Sequence, residues 1–353
     1  MTTFKMFSLA LLASVTASGC AGMAPAGGET GGGGDNGGSG DNGTGSDDVP
    51  RALDLTGTYQ MASTFDIATN IPGTVGTVTN DFIAATDDPD DPTMWIVDQL
   101  LNALPNGTIK TYAQDAEPFV IGYANDEVLS LAPTFVTDIK QVGADFGDMS
   151  KHFGLVSTLA VTKAGADYTA VHTVTGLHFK IGTVESDYLF ADYGTENITV
   201  PGVAVTLDPG GKVGIATHAV PLSYGKVLHI GLDAAILPLI DPNATDLGSF
   251  FADEIDCAAV GQAVSDAVGF GSAGTYEQAC TAGLNAAANL IYAQIDKLDS
   301  SPLTFDMAGA AKAFDKNSDQ KVDQIATGKW DGTISYVGTP APMATATFTG
   351  TRM

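Results

Sequence analysis

The chain has 353 residues, and its 15 lysines and arginines face 41 aspartates and glutamates, which gives a formal charge of −26 at pH 7. A surface this acidic repels phosphate backbones and anionic lipid, which excludes nucleic acid as a partner and disfavours peripheral membrane docking. Residues 51–353 contain no second low-complexity linker and suffice to bury a core, so they are predicted to form a single domain.

The first twenty residues have the form of a bacterial export signal. Lys5 gives a basic start, residues 6–15 form a short apolar stretch, and small residues lead into Cys20. A transmembrane helix needs about 20 apolar residues, so this stretch is predicted to be cleaved off. The ending Ala17-Ser18-Gly19-Cys20 resembles the lipobox of bacterial lipoproteins. The resemblance implies cleavage before Cys20, diacylglycerol on its thiol, a further acyl chain such as palmitate on its amine, and membrane anchoring through this lipid. The alternative is an ordinary signal peptide followed by a free cysteine.

Residues 21–50 are predicted to be a disordered tether. They consist almost entirely of Gly, Ser, Asp, Asn, Thr and small apolar residues. Such a segment buries too little apolar surface to offset the entropy of ordering, and thirty Gly-rich residues span roughly 30 Å. In the lipoproteins that the signal resembles, Ala21 after the lipidated cysteine implies sorting to the outer membrane. The expected location is therefore the cell envelope, with the membrane face left open.

The two remaining cysteines, Cys257 and Cys280, are predicted to form a disulfide bond. Export places them in an oxidising compartment, where such a pair is normally bonded. The alternative, a redox-active pair, lacks the Cys-X-X-Cys spacing.

Strands are predicted at both ends of the domain. Residues 55–67 alternate, with a single apolar face formed by Leu55, Tyr59, Met61, Phe65 and Ile67. Near the C-terminus, residues 330–336 and 344–349 alternate around a turn at 338–342. This pattern predicts a final hairpin that pairs near the first strand.

Helices are predicted from Asp91 to Leu104, from near Pro118, and from Pro133 to Phe153 with Gly154 ending the helix. The third has an apolar stripe at helical spacing, formed by Phe135, Ile139, Val142, Phe146, Met149 and Phe153.

Short apolar runs punctuated by Gly, Pro and Asn predict strands through 155–240, followed by helices at 246–268 and 275–298. Thr275 and Gln278 have the form of a capping box for the last helix. The predicted fold class is α+β: a largely antiparallel sheet with its N- and C-terminal strands together, packed by several helices.

The candidate metal site is an acidic loop at 315–326. Its oxygen ligands would be the side chains of Asp315, Asn317, Asp319 and Asp323 and the carbonyl of Lys321. The loop resembles the calcium loops of EF-hand and dockerin proteins, which implies Ca²⁺ as the ion. Gln320 and Ala326 replace the usual glycine and the last acidic ligand, so weak affinity is expected. The alternative is a solvated acidic turn.

Catalytic candidates are few. Ser223 lies in a segment that matches part of a nucleophile elbow, which keeps a Ser/His/Asp hydrolase as an alternative. Even spacing would place His172 and His178 on the same face of a strand. The G-x-G-x-x-G at 269–274 joins two predicted helices, so it is interpreted as a turn and not a dinucleotide site.

The apolar stripe of the third helix has two interpretations. Packing in the core explains it, but a long amphipathic helix against a curved sheet also encloses acyl chains in lipid-binding proteins. The hypothesis is therefore a non-enzymatic envelope lipoprotein whose cavity holds a hydrophobic small molecule; a hydrolase and a protein–protein scaffold are the alternatives. The cavity would be lined by Phe135, Ile139, Val142, Phe146 and Met149.

Overall fold

The structure is a computed structural model that describes residues 53–80, except 74 and 78, and residues 130–353, except 270. The predicted signal peptide with Cys20, the tether at 21–50 and the helices expected at 91–104 and near Pro118 lie outside the described residues.

The described strands are numbered here in chain order. They are β1 (Gly57–Phe65), β2 (Phe153–Ala164), β3 (Asp167–Ile181), β4 (Val184–Leu189), β5 (Ile198–Leu207), β6 (Lys212–Leu222), β7 (Leu303–Phe314), β8 (Gln324–Tyr336), β9 (Thr339–Pro342) and β10 (Ala346–Arg352).

Eight of these strands close into an antiparallel barrel. The order is β10-β1-β2-β3-β5-β6-β7-β8, and β8 pairs with β10 to complete the circuit, while β4 and β9 attach to β3 and β8. Strand β1 pairs with β10 over seven positions, from Tyr59 opposite Arg352 to Phe65 opposite Ala346. The predicted α+β class, antiparallel sheet and adjacent terminal strands are therefore confirmed. Closure was not predicted; it gives every barrel strand two partners and removes the exposed edges of an open sheet.

Bulky side chains fill the barrel interior, as expected for a barrel of eight strands. In β1, Tyr59, Met61, Ser63 and Phe65 are buried, while the residues that alternate with them are exposed. The ring of Phe305 contacts Phe65 at 5.1 Å and Phe153 at 6.1 Å between centroids. The alternation predicted for the first strand is thus confirmed, because one of its faces forms part of this core.

The described helices are α1 (Pro133–Lys151), α2 (Tyr224–His229), a π-helix (Ile230–Ile236), α3 (Leu237–Ile240), α4 (Leu247–Glu254), α5 (Cys257–Val268) and α6 (Ala273–Lys297). The stripe predicted for α1 is buried. The predicted end at Gly154 was wrong, because Phe153 already begins β2 and points into the barrel core. At Gly154 the strands approach closely: a Cβ there would lie 2.7 Å from Cβ and the carbonyl oxygen of His178.

Two further boundaries were predicted wrongly. Residues 224–240 are helical and not extended, because their short apolar run buries a helical face; a short apolar run alone does not distinguish a strand from a buried helix. The helix expected at 246–268 is broken at Ile255 and Asp256, where the Asp256 carboxylate accepts bonds from the amides that open α5.

The C-terminal helices are joined as predicted by the Cys257–Cys280 disulfide, which links the start of α5 to α6 across a Cα–Cα distance of 5.5 Å. The segment 269–274 forms the turn between them. Its first residue, Gly269, adopts a left-handed φ of 73°, and Ser272 caps α6 by accepting a bond from the Thr275 amide. The capping box predicted at Thr275 and Gln278 was therefore wrong, since α6 begins earlier.

Candidate functional site

The predicted calcium loop is an ordered turn between β7 and β8. The Asp315 carboxylate accepts hydrogen bonds from the amides of Ser318 at 2.7 Å and Gln320 at 2.8 Å. Gln320 has a left-handed φ of 68°, at the position where such loops usually have glycine.

The other side chains predicted as ligands in this loop also accept hydrogen bonds from backbone amides. Asp319 accepts from Lys321 at 2.8 Å, Asp323 from Lys316 at 2.8 Å, and the Asn317 side chain from Asp319 at 3.0 Å. Within the described residues, no three His, Cys, Asp or Glu side chains are grouped so as to hold a metal. Calcium binding stays a prediction.

The predicted cavity residues of α1 are buried in the core. Phe135 contacts the ring of Phe251 at 6.1 Å between centroids, and Gly231 lies directly against the Met149 thioether. Ile139, Val142 and Phe146 are also buried. The three cavities described below are lined by other residues, so an acyl cavity along this stripe stays a prediction.

Ser223 is exposed and lies at the start of α2. It lines a cavity whose described walls contain no histidine, so the structure does not place it in a Ser/His/Asp arrangement. His152 contacts Asp148, and His178 contacts Asp187 at 2.7 Å on the outside of the sheet. The expectation that His172 and His178 share a face was wrong. A β-bulge between β2 and β3 shifts the register between them.

The other three described histidines, His172, His218 and His229, lie in two clusters that the sequence did not reveal. The inner cluster lies inside the barrel, where His172 Nδ1 is 2.8 Å from His218 Nε2, and His172 Nε2 is 2.9 Å from the Ser157 hydroxyl. His218 Nδ1 is 2.9 Å from the carbonyl oxygen of Ala216. The His172 ring also stacks on Trp330 at 6.3 Å between centroids. The sequence did contain one signal. His172 and His218 each lie on the apolar face of a strand whose residues alternate between apolar and polar.

The inner cluster has a single consistent direction of hydrogen bonding. A carbonyl only accepts, so the proton is on His218 Nδ1 and His218 Nε2 accepts from His172 Nδ1. His172 Nε2 must then accept from the Ser157 hydroxyl. This is the polarity of a Ser-His triad, with His218 in the place of the carboxylate.

Burial controls the protonation of the inner cluster. Ser157 is 1% exposed and His172 is 2% exposed. Desolvation, with a smaller contribution from neighbouring His218, lowers the pKa of His172 to about 3. Burial also lowers the pKa of His218. Both rings are therefore neutral at physiological pH, and the chain of hydrogen bonds is complete without charge.

The outer cluster centres on His229, at the boundary of α2 and the π-helix. His229 Nδ1 lies 3.5 Å from Asp233, and Nε2 lies 2.9 Å from Asp296 of α6. The ring stacks on Tyr292 at 4.8 Å, and the Tyr292 hydroxyl donates to Asp233. Hydrogen bonding to Asp233 and then to Asp296 raises the pKa of His229, against an opposing effect of burial. π-Helical turns are frequent at functional sites.

Two adjoining cavities open beside the outer cluster. One, of about 280 Å³, is lined by Tyr193, Thr195, Lys226, His229, Ile230, Asp233 and Ala234. The other, of about 330 Å³, reaches Phe190, Ile198, Leu222 and Val227 and also contains Glu196 and Ser223. Thr195, Lys226 and Ile230 line both cavities. We call the pair the Lys226 cleft.

A third cavity, of about 470 Å³, lies beside the disulfide bond. Its charged lining is acidic: Asp253, Glu254, Asp256 and Glu277. Asp256 already caps α5, and Thr134 of α1 donates to Glu254 at 3.1 Å.

The fold defines the chain as an α+β protein built on a closed eight-stranded antiparallel barrel with helices packed against it. The chain matches no model of a known protein family, and it has no match among curated proteins or solved structures. None of the helices in the described part of the chain is long and apolar enough to cross a membrane.

Proposed function

We propose that this protein is a lipid-anchored lipoprotein of a bacterial cell envelope whose domain has a non-enzymatic binding role for a hydrophobic small molecule. The anchor would be the lipid on Cys20, and residues 21–50 would hold the domain away from the membrane, in keeping with the outer-membrane sorting expected from Ala21. The acidic composition supports attachment through the lipid, because an acidic surface does not favour direct docking on anionic lipid.

The contrast between the two histidine clusters favours binding over catalysis. The cluster that contains a nucleophile is sealed in the core, with Ser157 only 1% exposed. The open cluster pairs both nitrogens of His229 with carboxylates and not with a hydroxyl. A cleft of this kind can bind a ligand without a nucleophile.

The hydrolase alternative is favoured by one observation, the triad polarity of Ser157, His172 and His218. It requires an opening of the barrel that brings substrate and water to Ser157. A fluorophosphonate that labels the wild-type chain but not Ser157→Ala would establish it over the binding role. Ser223→Ala, at the exposed hydroxyl, is the matched control.

Two measurements test the proposed function. Labelled palmitate should be incorporated into the full-length chain in a bacterial host and not into Cys20→Ser; no labelling of either would indicate an ordinary signal peptide. Residues 21–353, exported behind a standard secretion signal, should carry a bound molecule of several hundred daltons in native mass spectrometry. Denaturation should release it. Repeated recovery of the bare chain would favour the protein–protein scaffold.

A further inference from the structure

The Lys226 cleft combines apolar walls with a cation, Lys226, that has no carboxylate partner among the described residues. Lys226 lies where its two cavities meet. Among the described ion pairs, the one that involves a lysine is Lys180 with Glu185, so no described carboxylate lies within 4 Å of the Lys226 ammonium. In a chain with 41 acidic residues, an ammonium that has no described carboxylate partner is unusual at the centre of a cleft.

The other charges in the cleft are mostly paired. Asp233 accepts from the Tyr292 hydroxyl and contacts His229, whose second nitrogen contacts Asp296. The exposed Glu196 is the remaining carboxylate, and it lines the larger cavity. An anionic group placed at Lys226 therefore meets a cation that no described carboxylate neutralises, while Glu196 repels an anion bound deeper in that cavity.

The walls beyond Lys226 are suited to a short hydrocarbon chain. The larger cavity has apolar side chains from five elements, one of which is the short 3-10 helix Phe190–Tyr193: Phe190, Ile198, Leu222, Val227 and Ile230. Its volume of about 330 Å³ is at the small end of the range for ligand sites. This size fits a chain shorter than that of a membrane lipid.

We propose that the Lys226 cleft binds a small amphipathic carboxylate, with the carboxylate at the Lys226 ammonium and the hydrocarbon chain against Ile198, Leu222 and Val227. This inference rests on the proposed binding role and names its ligand class. His229 lines the smaller cavity, and its contact with Asp296 of α6, together with the bond from the Tyr292 hydroxyl to Asp233, ties α2 and the π-helix to α6.

The test is an NMR titration of deuterated, ¹⁵N-labelled residues 21–353 with octanoate, octanol and octylammonium. Octanoate should shift the amides of Thr195 and Lys226 saturably and bind at least five-fold more tightly than either other probe. Lys226→Met should weaken octanoate binding about five-fold or more and leave octanol unchanged. Lys226→Arg should restore binding, and Lys212→Met, at an exposed lysine of β6 outside the cleft, is the control.

Equal binding of octanoate and octanol, or an unchanged octanoate affinity in Lys226→Met, would overturn the proposal. So would shifts confined to residues outside the cleft. The native mass measurement separates this failure from a failure of the proposed function. A co-purified molecule without an acidic group would support the binding role and overturn only the proposal that the ligand is a carboxylate.

Discussion

Acid should destabilise this protein through His172, because the folded state keeps that ring neutral. The pKa of His172 is about 3 in the folded chain, against an ordinary value of 6.5. Below pH 6.5 the unfolded chain therefore binds a proton that the folded chain does not. The stabilising contribution of the neutral ring is fully present above pH 6.5 and is lost as pH falls toward 3.

The magnitude follows from the size of this shift. Each pH unit costs about 1.4 kcal/mol, so the free energy of unfolding should fall by about 2 kcal/mol between pH 6.5 and pH 5. Continued to pH 3, the ceiling is about 5 kcal/mol from His172 alone. The lowered pKa of His218 acts in the same direction. The raised pKa of His229 has the opposite effect. The charged ring stabilises the folded chain below pH 6.5, and this stabilisation is lost as pH rises.

Urea unfolding followed by circular dichroism, at half-unit steps from pH 7.5 to 5, measures this slope. His172→Gln removes the titrating ring and should lower stability at pH 7.5. It should also make stability fall less steeply with acid, by about 1 kcal/mol per unit near pH 5. His152→Gln, at a half-exposed histidine, is the control. Parallel curves for wild type and His172→Gln would refute the argument that His172 is buried as a neutral ring.

Four further predictions concern other parts of the molecule. Replacing both disulfide cysteines with serine should lower the free energy of unfolding by about 3 kcal/mol in urea, from the entropy of the opened loop. Gly154→Ala should cost about 1–3 kcal/mol in the same assay, because its Cβ would lie 2.7 Å from atoms of β3. Asp296→Asn should lower the pKa of His229, measured by NMR titration of its ring protons. Millimolar Ca²⁺ should raise the melting temperature of the wild type and not that of Asp315→Ala; equal melting curves would indicate a solvated turn.

The parts of the fold that the sequence predicts are those where a single periodicity dominates. The alternation around Tyr59 and the stripe from Phe135 to Met149 each bury a single face, so their structures follow from local pattern. Residues 224–240 were predicted wrongly, although Lys226, His229 and Asp233 interrupt the apolar run at the three- and four-residue spacing of a helix. Closure of the barrel depends on pairing between β8 and β10, which no local pattern encodes.

The candidate site was less predictable than the fold, because its residues converge from distant segments. His229 lies 67 positions from Asp296, and His172 lies 46 positions from His218. Lys226 lies in no recognisable sequence motif. It stands out only in the structure, where it lines both cavities of the cleft.

His172 and His178 lie on opposite faces of β3 because of strand register. Even spacing alone would put His172 and His178 on one face of β3, but the bulge opposite Ser157 shifts the register between them. As a result His172 lies inside the barrel and His178 lies outside, against Asp187. Without the bulge, His172 and His178 would share a face of β3. If that face pointed inward, His178 would be buried without a partner. If it pointed outward, His172 would leave the interior and lose its hydrogen bond to Ser157. Burying an unsatisfied imidazole costs several kcal/mol, so the bulge and the hydrogen-bonded chain stabilise the same register.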